Sequence, residues 1–313
     1  MNPRPPVHPL IVLAFGILAV STASIFIRSA QEYAPSLVIA AYRLTIASLV
    51  LAPFAISRRR GELKALNRNA IGLALLSGLF LALHFATWIT SLEFTTVASS
   101  AVLVATVPLW VALLSPFTLK EPVTRYVWVG MGLAMIGGIV VGLSDTCQWS
   151  GGGLVCPPAT EFFKGKAFIG DMLALAGALM GAGYIVIGRR LRPNLSLLGY
   201  IFVVYSMAAV VLVILMFSAG LPATGYPPVA YLWFVLLALG PQLLGHSSFN
   251  WALKYLSAAY VSISLLGEPI GSTILAYFIL DEVPSGIKIF GAILILSGIY
   301  IASLGERRVK TPD

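Results

Sequence analysis

Long apolar runs recur along the whole chain and are separated by short polar segments. Each run has about the 20 residues that a helix needs to cross a bilayer. To within a few residues, they occupy 10–27, 35–56, 70–91, 97–118, 124–143, 169–188, 197–219, 229–250, 257–280 and 285–305. The pattern predicts an all-α integral membrane protein with ten transmembrane helices. The first run is interpreted as a span and not as a signal peptide, because the next apolar run follows it at once.

The composition and the distribution of charge support a bilayer as the surrounding solvent. Of the 313 residues, 58% are apolar and only 10% are charged, against about 25% charged residues in an ordinary soluble domain. The net charge of +8 does not point to nucleic acid, because the basic residues sit in short clusters between apolar runs. With a cytoplasmic N-terminus, the inside segments hold fifteen Lys and Arg and the outside segments hold four. This bias predicts a cell (inner) membrane protein with both termini in the cytoplasm.

One loop, residues 144–168, is much longer than the others and contains both cysteines of the chain, Cys147 and Cys156. The predicted topology places this loop outside, where an oxidising compartment favours a disulfide between closely spaced cysteines. The alternative is two free thiols. Alkylation of the protein under non-reducing conditions distinguishes the two cases.

An internal repeat relates the two halves of the chain. A shift of 161 residues aligns 92–143 with 253–304 without a gap, and 11 of the 52 positions are identical, where shared apolar composition would give about 4. The matches include a proline in mid-span, Pro108 and Pro269. The glycines of the fifth and tenth helices predict that these two helices pack together.

The number of helices in each half determines how the halves are related. Residues 1–143 and 169–313 each contain five predicted spans, and 144–168 is the loop between them. Because five is odd, the two halves enter the membrane from opposite sides. The sequence therefore predicts inverted repeats, which are the architecture of secondary transporters.

Three stretches resemble the EamA-type transporters of the drug/metabolite transporter superfamily. They are Gly170–Leu179 (GDMLALAGAL) followed by Tyr184, Ala40–Leu44 (AAYRL), and Leu266–Ile270 (LGEPI) followed by Leu280–Glu282. The resemblance covers nearly the whole chain and implies a ten-helix carrier, commonly an exporter of amino acids or other small metabolites. The first helix departs from the family pattern, since Val20–Ser24 lacks the Trp-Gly often seen there.

Two charged residues lie well inside predicted spans, away from the span ends, where a charge costs about 2.5–3.5 kcal/mol on insertion scales. Glu268, beside Pro269, is a candidate proton-coupling carboxylate or counter-charge for an amine. Arg43 is a candidate ligand for a substrate carboxylate, because its planar guanidinium can bind both oxygens. The alternative for both is a structural role, including a pair between them.

A stripe of polar residues gives the sharpest prediction of a site. Gln242, His246 and Asn250 recur every four residues and so share one helix face. Lipid cannot satisfy the hydrogen bonds of such a polar face, so we expect it to point into the bundle or toward a water-filled cavity. His84 stands at nearly the repeat-equivalent position of His246, and the topology predicts the two histidines on opposite sides of the site. The remaining predicted substrate-binding residues are Thr87, Trp88, Trp110, Tyr42 and Tyr184.

These features favour a carrier over an intramembrane enzyme, because the chain has no H-E-x-x-H or G-x-S-x-G motif and no paired embedded aspartates. We expect an alternating-access transporter, in the direction of export, for neutral or zwitterionic metabolites such as amino acids. The alternative is a carrier of drug-like or nucleobase-like compounds. The expected partners are the lipid bilayer and the substrate. The expected form is a monomer without a metal or cofactor.

Overall fold

The computed structural model describes residues 5–120, 124–146, 148–150, 153–156, 158 and 165–309. These residues form ten helical segments in chain order. They are α1 (Pro9–Gln31), α2 (Ser36–Lys64), α3 (Arg68–Ser91), α4 (Val97–Thr118), α5 (Arg125–Thr146), α6 (Lys166–Leu191), α7 (Leu197–Ser218), α8 (Pro228–Ala252), α9 (Ala258–Ile279) and α10 (Gly286–Val309). All except α5 and α10 are long and apolar enough to cross a membrane, and those two contain shorter apolar stretches. The predicted helical membrane fold is confirmed.

The long loop contains a small antiparallel pair of strands. Its strands are β1 (Gln148–Ser150) and β2 (Gly153–Val155), and Trp149 lies opposite Leu154. Cys156, just after β2, is disulfide-bonded. Cys147 lies outside the described residues, so its predicted disulfide stays a prediction.

Three of the helices are interrupted within the apolar runs. The breaks divide α1 into Pro9–Ser21 and Ala23–Gln31, α4 into Val97–Val104 and Val107–Thr118, and α9 into Ala258–Ser264 and Gly267–Ile279. In α4 and α9 each break closely precedes a proline, Pro108 or Pro269. Proline has no amide hydrogen to donate to the carbonyl four residues earlier, so the helical ladder is interrupted there. The apolar pattern predicts these three spans but does not locate the breaks within them.

Helix α8 changes its winding in the middle. Residues Ala238–His246 form a π-helix that contains Pro241, and an α-helical turn, Ser247–Ala252, follows it. A π-helical stretch bonds each amide to the fifth residue back, and such stretches are frequent at functional sites. Here the change of winding sets the directions in which the polar stripe of α8 points.

The internal repeat is visible in the local structure of the two halves. Lys120 and Asp281, which are 161 residues apart, have the same left-handed backbone, with φ of 57° and 55°. A second correspondence is a pair of side-chain hydrogen bonds at the same offset. Arg28 Nη1 donates to Leu92 O at 2.6 Å, and Arg189 Nη1 donates to Leu253 O at 3.0 Å. These matched contacts support a duplicated unit.

Helices α5 and α10 pack against each other through glycines, which confirms the predicted contact. A Cβ placed on Gly137 would lie 2.6 Å from Gly291 O, and a Cβ on Gly298 would lie 2.5 Å from Gly130 O. The two contacts exchange under the offset of 161 residues. Because the residue number rises along one helix as it falls along the other, the two helices cross in antiparallel directions.

Glu282, in the turn after α9, joins the second half of the chain to the first. Its Oε1 lies 3.4 Å from Arg28 Nη2, and its Oε2 accepts a hydrogen bond of 2.9 Å from the backbone amide of Val97. That amide belongs to the first turn of α4, where helical amides have no partner within the helix. Glu282 therefore both pairs with an arginine and caps a helix of the other half.

We expect Glu282→Gln to lower the free energy of unfolding by at most about 1 kcal/mol, because it removes a partly exposed ion pair but keeps an acceptor for Val97. Glu282→Ala should cost about 1 kcal/mol more, since the cap is lost as well. Thermal unfolding of the purified protein in detergent measures both changes. Glu32→Gln, at an exposed glutamate after α1, is the control. Equal effects of the two Glu282 variants would contradict the capping role.

Candidate functional site

A cavity of ≈ 50 Å³ lies inside the helical bundle at the breaks of α4 and α9. Ala105, at the break in α4, and Leu265, at the break in α9, both line it. Besides Phe249, its polar and aromatic lining consists of six side chains, His84, Trp88, Tyr184, His246, Asn250 and Glu268. All six belong to the set that the sequence predicts, and they come from both halves of the chain.

The two histidines lie together in this cavity. The centroids of the His84 and His246 rings are 6.3 Å apart, so both rings belong to one site, and their placement on its outside and inside stays a prediction. His84 Nδ1 donates to the backbone oxygen of Gly177 at 2.8 Å. A Cβ on the nearby Gly181 would lie 3.0 Å from the same nitrogen. The small residues of α6 thus let α3 approach closely enough to bring His84 to the cavity.

Asn250 is held by tyrosines of the second half. Its Nδ2 donates to the hydroxyl of Tyr184, and it lies 3.4 Å from the hydroxyl of Tyr205. The same nitrogen donates to His246 O at 2.9 Å. Its Oδ1 is buried and has no hydrogen-bond partner among the described residues. Asn250 therefore offers a free acceptor beside the cavity.

Arg43, in α2, is completely buried and has lost access to solvent. Its guanidinium carbon lies 4.0 Å from the centroid of the Phe85 ring, and its Nε donates to Gln242 Oε1 at 2.9 Å. Neither Nη1 nor Nη2 has a hydrogen-bond partner in the described part of the chain. No ion pair within 4.0 Å links Arg43 to Glu268 among these residues. A buried cation thus keeps two nitrogens unsatisfied.

Glu268 lines the cavity as the second residue of the second half of α9. Its side chain is half-buried, and no cation lies within 4.0 Å of its carboxylate in the described ranges. The cavity therefore has an acidic wall at the break in α9.

Five predicted site residues do not line this cavity, and Arg43, described above, is one of them. Gln242 lies deeper and contacts Arg43. Thr87 Oγ1 donates to Leu83 O of its own helix at 2.8 Å, as hydroxyls within helices often do. Tyr42 donates to Ala223 O at 2.6 Å. Trp110 lines a different cavity of ≈ 470 Å³, which is formed by α4, α5 and α6.

Besides Arg192, just after α6, two buried charged residues do not stand out in the sequence. Asp171 in α6 is 4% exposed and accepts a hydrogen bond of 3.2 Å from Thr95 Oγ1. Lys288, one of the four basic residues that the predicted topology assigns to the outside segments, is 6% exposed, and its Nζ donates to Thr96 Oγ1 at 2.9 Å. Both lie close to the start of a helix, where hydropathy does not separate a buried side chain from one at the membrane surface.

Comparison with known proteins identifies relatives over nearly the whole chain. An uncharacterized transporter of Archaeoglobus fulgidus is 22% identical over 95% of this chain and 98% of its own length. The pseudopaline exporter CntI of Pseudomonas aeruginosa is 24% identical over 96% of this chain and 95% of its own length. The S-adenosylmethionine uptake transporter of Rickettsia felis is 24% identical over 87% of this chain and 84% of its own length.

The fold and the family model agree with these similarities. A crystal structure with 21% sequence identity superimposes with a TM-score of 0.66 over 97% of this chain and 99% of its own. The model of the EamA-like transporter family matches twice, at residues 9–143 and 168–304. The two matches correspond to the two halves described above. The protein is therefore a membrane transporter that belongs to the EamA-like transporter family.

Proposed function

We propose that the protein is a secondary active transporter that exports small neutral or zwitterionic metabolites, with amino acids as the leading class. The observation that carries this proposal is the position of the cavity. It lies where α4 and α9 are both broken, and its walls come from both halves of the chain. Substrate sites of secondary transporters with internal repeats lie at the repeat interface, where discontinuous helices meet.

The free polar groups around the cavity support a substrate with charges of both signs. Arg43, which packs on Phe85 and does not itself line the cavity, supplies two unpaired cationic nitrogens, and Asn250 supplies an unpaired oxygen. Glu268 adds a carboxylate. A zwitterion presents its anionic group to Arg43 and its cationic group to Asn250 and Glu268. Its net charge is zero. A strongly anionic substrate would leave this carboxylate opposed by a like charge.

The mechanism that we propose is alternating access between two inverted halves, 1–143 and 169–313, which are joined by the loop 144–168. The antiparallel crossing of α5 and α10 through glycines supports this relation. The broken helices α4 and α9 are the elements that would open the cavity to one side and then to the other. We further propose that a single chain in the inner membrane, with both termini in the cytoplasm, is the working unit.

Flux measurements on purified protein in liposomes test this proposal. Vesicles are loaded with each of the 20 standard L-amino acids in turn, and uptake of the same labelled amino acid is followed. A carrier gives saturable uptake that internal substrate accelerates. Uptake that does not saturate would indicate a channel. Exchange of nucleobases or hydrophobic cations without exchange of any amino acid would favour the alternative substrate class.

Glu268→Gln is expected to abolish accumulation driven by a pH gradient, while exchange at equal pH persists with KM raised about tenfold. An amide has nearly the shape of the carboxyl group but cannot bind and release a proton, so the coupled step is lost, and without its charge it pairs less well with the cationic group of the substrate. Both rates are measured in the same liposomes. Glu32→Gln, an exposed glutamate outside the cavity, is the matched control. Accumulation by Glu268→Gln at the wild-type level would exclude this residue as the coupling group.

A further inference from the structure

The surroundings of Arg43 leave only one edge of its guanidinium for a ligand. One face of the planar group lies on the Phe85 ring at 4.0 Å, and the Nε hydrogen is taken by Gln242 at 2.9 Å. A guanidinium has five N–H groups in a fixed plane. Four of these belong to Nη1 and Nη2, which have no partner among the described residues. The edge formed by these two nitrogens is therefore the part of Arg43 that is free to bind.

Gln242 reaches this position because of the π-helix in α8. It belongs to the stretch Ala238–His246 and is itself completely buried. Its Oε1 accepts from Arg43, and its own Nε2 has no partner in the described structure. The side chain therefore fixes the guanidinium and adds another free donor from the same amide group. Arg43 comes from the first half of the chain and Gln242 from the second, so this contact links the halves next to the site.

We infer that Gln242 is a positioning residue, and that it turns the Nη1 and Nη2 edge of Arg43 toward a planar carboxylate on the transported molecule. This inference rests on the proposed function and specifies the substrate class as carboxylic acids. A carboxylate offers two coplanar oxygens, which match the two nitrogens of this edge. A primary amide of the same shape offers one oxygen, and its NH₂ group faces the donors. The site therefore selects a carboxylate over the corresponding amide.

Thermal-shift titration of the purified full chain with matched pairs of compounds tests this inference. The pairs are sodium acetate and acetamide, sodium benzoate and benzamide, L-leucine and L-leucinamide, and L-phenylalanine and L-phenylalaninamide, at constant ionic strength. The titrations are made on wild type, Gln242→Leu, Gln242→Glu and Arg43→Lys. Gln31→Leu is the control, because Gln31 is a partly buried glutamine of the first half whose Nε2 donates to the backbone oxygen of Ile89 at 2.8 Å.

At least one carboxylate should bind wild-type protein about tenfold or more tightly than its amide, as expected for a charged two-point contact. Gln242→Leu should remove this preference, and Arg43→Lys, which keeps the charge but loses the two-point contact, should weaken it. Gln242→Glu, which sets a fixed carboxylate against the guanidinium, should weaken it as well. Gln31→Leu should lower the unfolding temperature without changing the preference. In the flux assay, Gln242→Leu should raise KM for a transported carboxylate about tenfold with little change in kcat.

Three results would overturn the inference. They are equal binding of carboxylate and amide by wild type, a preference that survives in Gln242→Leu, and no shift with any carboxylate. None of these results requires that transport be absent. Saturable exchange of solutes without a carboxyl group would leave the transporter function intact while excluding carboxylate recognition by Arg43. Absence of saturable exchange for every solute would instead count against the proposed function.

Discussion

Replacing Arg43 and Gln242 together by leucine is expected to abolish transport without lowering the stability of the protein. The two side chains are completely buried, and three of their nitrogens have no partner among the described residues. Burying a charge that is not fully paired costs several kcal/mol, and replacing such groups by apolar residues of similar volume is often neutral or stabilising by about 1–4 kcal/mol. An arginine retained at that cost is explained by a ligand that pairs with it.

The measurement combines exchange in liposomes with thermal unfolding in detergent. We expect exchange to fall about 100-fold or more, with an unfolding temperature equal to or above that of wild type. The leucine pair avoids leaving Gln242 without its partner, which the single substitution Arg43→Leu would do. A marked loss of stability in the double variant would show that Arg43 has the structural role that the sequence leaves open.

Arg192 provides the matched control for this experiment. It is the other fully buried arginine among the described residues, and its donors are used: Nε donates to Asn250 O at 2.8 Å, and Nη1 donates to Leu195 O. Arg192→Leu leaves these buried oxygens without donors, and each costs about 1–3 kcal/mol. We expect this variant to lose about 2–4 kcal/mol of stability. The contrast with Arg43 separates a structural arginine from a binding one.

The positions of the helices could be predicted from the sequence, because a helix that crosses a bilayer needs a run of about 20 apolar residues. The breaks could not, because apolar residues continue through them. Pro108 and Pro269 mark two of the breaks, but a proline in an apolar run is also compatible with a kinked continuous helix. The π-helix in α8 could not be predicted either. No pattern of residues near Pro241 shows that the amides bond to the fifth residue back and not to the fourth.

The candidate site was predictable where a polar residue interrupts an apolar face. His84, His246 and Asn250 stand out in this way, and all three line the cavity. The sequence could not show that Arg43 contacts Gln242, because this contact depends on the winding of α8 and on the packing of α2 against it. Thr87 shows the opposite error, since a hydroxyl can be satisfied by its own helix and need not face a ligand.

Substituting the glycines at the crossing of α5 and α10 is expected to cause the largest loss of stability outside the site. We expect Gly137→Val and Gly298→Val each to lower the free energy of unfolding by about 3 kcal/mol or more. In both cases the new Cβ would lie 2.5–2.6 Å from a backbone oxygen of the facing helix. A backbone oxygen cannot rotate away as a side chain can, so the helices must separate and lose packing over the whole crossing.

The repeat gives this prediction an internal check. Because the Gly137 and Gly298 contacts exchange under the offset of 161 residues, the two single variants should have similar effects. The double variant should lose less stability than the two single variants together, since the separation forced by one substitution makes room for the other.

Gly132→Ala is the control, because a Cβ there has no neighbour within 4 Å and alanine favours a helix by about 1 kcal/mol over glycine. Denaturant titration measures all four variants. If Gly137→Val were as stable as Gly132→Ala, the close antiparallel crossing of α5 and α10 would be excluded, and with it the main structural support for inverted halves.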